Sequence, residues 1–170
     1  MINLALVGKN IQHSKSQSMY EKLLGHEIQY TLLDYKNSKD IPTLISLMQK
    51  YDGVSITAPY KKHFLPELQE CVTSVEAVNA IKYDGNNLIG NNTDYFAVRE
   101  ILETYIKSGI KKVYILGDGA MGMMTKNLLD ELEIKFEHFS RKLGNLESAI
   151  PNAEMGDYSD LVINTCGRSF

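Results

Sequence analysis

Hydrophobic positions along the chain fall into short runs that switch between the strand period and the helix period. Ile2 to Val7 is apolar except for Asn3 and stops at Gly8, which predicts a buried strand. A polar loop, Lys9 to Ser16, leads to a stretch with Met19, Tyr20, Leu23 and Leu24 at helical spacing, closed by Gly25. Ile28 to Leu33 predicts a second strand and Gly53 to Ile56 a third. Between them, Asp40 is placed to cap a helix through Ile41, Leu44, Ile45, Leu47 and Met48, with Pro42 in its first turn. Strand, helix, strand, helix, strand is the order of a parallel, doubly wound layer.

Val78 to Lys82 and Asn87 to Ile89 flank the turn Tyr83-Asp84-Gly85-Asn86, a hairpin signal. A long helix follows from Thr93 through Ile106, apolar at Phe96, Val98, Ile101, Leu102 and Ile106, and ends near Gly109. The pattern then restarts. Lys112 to Leu116 predicts a strand, Met121 to Leu132 a helix, Lys135 to Phe139 a strand and Leu161 to Asn164 another. The chain therefore reads as α/β throughout, in two units joined near the 93–107 helix.

Composition narrows the functional classes. Hydrophobic residues make up 44% and charged residues 23%, as in an ordinary globular protein. With 18 basic and 21 acidic side chains the net charge is −3, and neither half is basic enough for a nucleic-acid surface. There is no polybasic run, no apolar run near the roughly 18 residues of a membrane span, and no signal-peptide pattern. Cys71 and Cys166 lack C-x-x-C spacing, so the expectation is two reduced thiols in a cytoplasmic protein. No His, Cys and carboxylate cluster has metal-ligand spacing, so no metal is expected.

Gly117-Asp118-Gly119-Ala120-Met121-Gly122 fits G-x-G-x-x-G, after the strand Val113 to Leu116 and at the opening of a helix. In such a loop the first glycine permits the tight turn. The second lets a pyrophosphate approach the backbone, and the third lets helix and strand pack closely. The helix N-terminus presents free N–H groups to the phosphates. Gly117, Asp118, Gly119, Ala120 and Met121 are thus candidate cofactor-binding residues. The next strand ends in Ser140, Arg141 and Lys142, where sites selective for the 2′-hydroxyl carry Asp or Glu. A guanidinium, a hydroxyl and an ammonium suit a 2′-phosphate, so NADP is the expected cofactor.

Four polar clusters lie at predicted strand ends: His13-Ser14-Lys15-Ser16, Ser55-Ile56-Thr57-Ala58-Pro59-Tyr60-Lys61, Ala77-Val78-Asn79-Ala80 and Asn92-Thr93-Asp94. They are an inventory for a small polyhydroxylated acid. With the phosphate loop, Ser140-Arg141-Lys142 and Ile163-Asn164-Thr165, they resemble in order and spacing the seven motifs of the shikimate dehydrogenase family. The resemblance covers essentially the whole chain. It implies a substrate-binding catalytic domain over 1–95, with a mainly parallel sheet. An NADP-binding Rossmann domain over 96–170 follows, incomplete against a family whose chains run further. It also implies an enzyme: an oxidoreductase that reversibly reduces 3-dehydroshikimate to shikimate with NADPH, in aromatic amino acid (chorismate) biosynthesis.

By position, the resemblance makes Lys61 the catalytic lysine and Asp94 its acid–base partner. Ser14 and Ser16 would hold the substrate carboxylate, Thr57, Asn79 and Asp94 the ring hydroxyls, and Thr165 would lie by the cofactor. Ser16 is also expected to cap the first helix. The chain departs from the family at Gln17, Ser55 (usually asparagine), Glu76 (usually glycine), Ala80, Tyr95 (usually glycine), Asp118 and Met121. These departures leave two competing readings. One is a divergent, non-catalytic paralog that binds an aromatic-pathway acid or a nucleotide. The other is a quinate or other small hydroxy-acid dehydrogenase. The expected partner is the small-molecule substrate, with no nucleic acid and no membrane; a homodimer is left open.

Overall fold

The computed structural model describes residues 1–110, 112–148 and 160–166. They divide into two compact units, Met1–Thr93 and the part from Asp94 onward.

The first unit is built on a six-stranded sheet. Strands β1 (Asn3–Gly8), β2 (Gln29–Asp34), β3 (Gly53–Ile56), β4 (Glu70–Cys71), β5 (Ala80–Asp84) and β6 (Asn87–Asn91) lie in the order β2-β1-β3-β5-β6-β4. β1 pairs in parallel with both β2 and β3, as the strand–helix alternation requires. The hairpin β5–β6 then adds antiparallel to β3, and β4 pairs in parallel with β6. One face of this sheet buries Val7, Val54, Ile56 and Ile81 against Leu44 and Leu47 of α2 (Leu44–Met48) and against Phe64, which is fully buried. Helix α1 (Ser16–Leu24) ends at Gly25 and leaves Leu23 and Met19 exposed.

Two helix starts differ from expectation. Asp40 closes a 3₁₀ turn over Ser38–Asp40, and α2 is capped by Thr43, whose Oγ1 accepts from the Ser46 amide at 3.4 Å. The reason is Pro42. A residue before proline is steered out of the helical region, and Ile41 is extended at φ −77° and ψ 125°. Ser16 likewise caps nothing, because it is itself the first helical residue; its amide donates to Ser14 Oγ at 3.3 Å.

The second unit has three parallel strands, β7 (Lys112–Leu116), β8 (Phe136–Phe139) and β9 (Asp160–Asn164), in the order β8-β7-β9. Helix α4 (Ala120–Glu131) joins β7 to β8 and buries Gly122, Met124, Thr125, Leu128 and Leu129, one face at helical spacing. Helix α3 (Thr93–Lys107) precedes β7 and buries Leu102. Tyr95, a departure from the family pattern, is buried and donates to Glu131 Oε2 at 2.5 Å, tying the start of α3 to the end of α4. No described helix is long and apolar enough to cross a membrane.

Candidate functional site

In the first unit Ser14, Ser16, Thr57 and Lys61 lie in the segments that follow β1 and β3, and Asn79 stands just before β5, which runs antiparallel to β3. Ser14 and Ser16 follow β1. The Ser14 hydroxyl donates to Ser16 Oγ at 3.0 Å, so the two form one hydroxyl pair. Asp34, at the end of β2, fixes their loop: its carboxylate accepts the Asn10 amide at 2.8 Å and the Ile11 amide at 3.1 Å. Asn10 takes a left-handed conformation, φ +56°, one that asparagine adopts more readily than most residues. These donated bonds, the Asn10 amide first, hold the Asp34 carboxyl below the usual carboxylate range.

Thr57 follows β3, and its amide donates to the Val7 carbonyl at 2.9 Å. Lys61 and Lys62 are adjacent in sequence and unlike in setting. Lys62 is exposed and pairs with Glu76 at 3.2 Å, a surface ion pair of small worth. Glu76 stands where the family usually has glycine. Lys61 is half-buried, and its carbonyl accepts the Val78 amide at 2.8 Å.

Asn79 does something its sequence position does not advertise. Its Nδ2 donates to Thr93 Oγ1 at 2.9 Å and its Oδ1 accepts the Thr93 amide at 2.9 Å. It therefore fastens the residue that begins α3 and stands immediately before Asp94. Asp94 lies in the first turn of α3, where the helix dipole favours a carboxylate.

In the second unit the phosphate loop has the geometry its glycines predict. Gly117 stands at φ +105°, a conformation that excludes side chains. A Cβ at Gly122 would meet the Gly117 carbonyl oxygen at 2.3 Å, so a glycine there is what lets α4 close onto β7. Gly119 is the residue before α4, is exposed, and has open space around its would-be Cβ. That is an accessible helix start, with room for a pyrophosphate at the backbone. The Gly117 carbonyl can only accept, so His138 Nε2, 2.8 Å away, carries the proton and donates. Thr165 Oγ1 donates to the Leu116 carbonyl at 2.8 Å beside the same loop.

After β8, Ser140 is 1% exposed, and its Oγ accepts the Leu143 amide at 3.1 Å. Its hydroxyl oxygen takes part in closing the turn. Asn145 closes the same turn, accepting the Ser140 amide at 2.9 Å and donating to the His138 carbonyl at 3.0 Å. Arg141 and Lys142 stand exposed on that turn. Sequence reasoning misses Asn145, Asp34 and the bonds of Asn79, because all three act through partners the local pattern does not identify.

Residues 6–81 match the family model described as the shikimate dehydrogenase substrate binding domain. A shikimate dehydrogenase (NADP(+)) of Caldicellulosiruptor saccharolyticus is 32% identical over 129 residues, 70% of this chain and 46% of the relative. The same-named protein of Exiguobacterium sibiricum is 26% identical over 179 residues, 96% of this chain and 67% of the relative. The chain thus spans between about half and two thirds of the length of these relatives. Among solved structures, a shikimate 5-dehydrogenase of Thermus thermophilus, in complex with NADP(H) and shikimate, superposes with a TM-score of 0.71 at 22% identity. That match covers 98% of this chain and 69% of the other, and shows the shared fold. The chain belongs to the shikimate dehydrogenase family.

Proposed function

We propose that the chain interconverts 3-dehydroshikimate and shikimate with NADP(H), a step of aromatic amino acid biosynthesis. Residues 1–95 would hold the acid and 96–170 the dinucleotide. The observation that carries this reading is a coincidence of position. The residues matched as a shikimate dehydrogenase substrate binding domain, 6–81, are those whose hydroxyls, amide and lysine gather at strand ends.

NADPH, when bound, supplies the hydride. The open backbone at Gly119 and the glycine contacts at Gly117 and Gly122 fit a pyrophosphate, and exposed Arg141 and Lys142 fit a 2′-phosphate. The remaining work falls to the chain's own side chains. As hydride reaches the carbonyl carbon, the oxygen gains negative charge, and the Lys61 ammonium donates the proton that makes the hydroxyl. In the reverse direction the Lys61 amine takes that proton back. Asp94 would stabilise the ammonium and accept a hydrogen bond from a ring hydroxyl. Ser14 and Ser16 would donate to the carboxylate, and Thr57 and Asn79 would hold ring hydroxyls.

The test is absorbance at 340 nm with shikimate and NADP⁺, and Lys61→Ala as the blank. Growth of NADPH that vanishes in the variant supports the reading. A folded chain that binds both ligands without turnover overturns it in favour of a non-catalytic binder.

A further inference from the structure

The end of β8 is bonded on two sides. Toward the phosphate loop, the Phe139 carbonyl accepts the Gly117 amide at 2.8 Å, and the His138 ring donates from Nε2 to the Gly117 carbonyl, also at 2.8 Å. Toward the turn that carries Arg141 and Lys142, Asn145 holds the His138 carbonyl and the Ser140 amide. Both backbone groups of Gly117 are therefore held by two consecutive residues of one strand.

The carbonyl carries the larger consequence. Gly117 is buried at φ +105°, and a glycine lets its peptide flip at little steric cost. The peptide that joins Gly117 to Asp118 is planar and trans, so its N–H points opposite to its carbonyl. His138 draws that carbonyl inward, to the side where the missing side chain of Gly122 leaves room; a Cβ there would lie 2.3 Å from the oxygen. The Asp118 amide is thereby turned the other way, and among the described residues it makes no hydrogen bond. An unpaired amide held in a fixed direction just before a helix suits a phosphate oxygen.

We propose that His138 is a positioning residue for the dinucleotide: its Nε2–H locks the Gly117 carbonyl and so aims the Asp118 amide at the pyrophosphate. This proposal rests on the NADP reading above and is independent of which acid is the substrate. It gives Asp118 a part in binding through its backbone, one that its carboxylate cannot offer to an anion.

His138→Leu removes the donor and keeps an apolar body, and His138→Gln returns an N–H near the place of Nε2. Calorimetry on the whole chain measures the binding of NADP⁺ and of adenosine 2′-monophosphate, which carries the 2′-phosphate but no pyrophosphate. His138→Leu should raise the Kd for NADP⁺ roughly three- to tenfold, the usual worth of one neutral hydrogen bond. His138→Gln should recover most of that loss, and the monophosphate should bind all three proteins alike. Unchanged NADP⁺ affinity in His138→Leu overturns the proposal and leaves the NADP reading intact. Equal losses for the two ligands also overturn it, because the histidine then supports the unit as a whole. A glutamine variant as weak as the leucine one does the same, since the donor is then not what counts. If the unaltered chain binds neither ligand, the NADP reading falls and the proposal with it.

Discussion

The two units place their candidate ligand groups by different means. The first works through side chains: Asp34 pins one loop, Asn79 another, and the groups offered to a ligand are hydroxyls and an ammonium. The second works through backbone: Gly117, Gly119 and Gly122 shape a turn whose contribution is bare amides at a helix start. A small acid with several different functional groups calls for different side chains in different places. A pyrophosphate, uniform and doubly charged, is met well by repeated N–H groups. The first unit should therefore be sensitive to which group is removed, and the second to any atom added.

The largest effect expected is on turnover. Lys61→Ala should lower kcat about 10²–10⁴-fold, the usual contribution of a positioned acid–base group. The adjacent Lys62→Ala, which breaks only the exposed pair with Glu76, should leave kcat near its starting value. Steady-state rates of the two variants side by side check this, and equal losses would dissolve the distinction between the neighbouring lysines.

In the second unit, Gly122→Ala should destabilise the protein by about 1–3 kcal/mol, since the new methyl overlaps a backbone oxygen that cannot swing aside. Gly119→Ala should cost less than about 1 kcal/mol, because its space is open, while still weakening NADP⁺ binding. Denaturant melts paired with cofactor titrations separate the two outcomes. A large stability loss at Gly119 would show that its open space is not the ligand's.

Asn79→Ala sharpens the view of the first unit. It removes both bonds to Thr93 and leaves the first amide of α3 without its acceptor, at about 0.5–2 kcal/mol, as for other lost helix caps. Because Asp94 follows Thr93, turnover should fall with stability. A stability loss with kcat retained would make Asn79 purely structural.

These contrasts also mark how far the sequence could be read. The phosphate loop was legible because its spacing and its place between strand and helix each demand glycine for a stated reason. The strands were legible because alternation and apolar runs are local. Asp34 was not, because its partners Asn10 and Ile11 are 24 and 23 residues away and a strand-end aspartate has no distinctive spacing. Asn79 and Asn145 were hidden similarly, their side chains closing turns that exist only once the strands are paired. The part Ser140 plays in its own turn was hidden too, because the partners that close it, Asn145 and Leu143, lie three to five residues on with no distinctive spacing. The Thr43 cap was within reach: the proline after Ile41 already forbids a helix starting at Asp40.

The smallest effect expected concerns Asp34 and its loop. The carboxylate is exposed, so its worth lies in geometry more than in stability. Its carboxyl titrates below the usual value of about 3.9 because the Asn10 and Ile11 amides, Gln12 and Lys36 all favour the charged form. A lowered folded-state pKa stabilises the protein above the unfolded-state value, and that contribution disappears as the pH falls through the folded-state value. The amide resonances of Asn10 and Ile11 should therefore hold constant from neutral pH down to the ordinary carboxylate range and move together only below it. Nuclear magnetic resonance titration of those two amides measures this directly. In Asp34→Asn the joint movement should be gone, and shikimate binding should weaken while NADP⁺ binding does not. If the two amides move at the ordinary carboxyl value, or if the substitution alters both ligands alike, the loop is not held by this carboxylate. The contrast between a first unit organised by side chains and a second by backbone would then lose one of its two anchors.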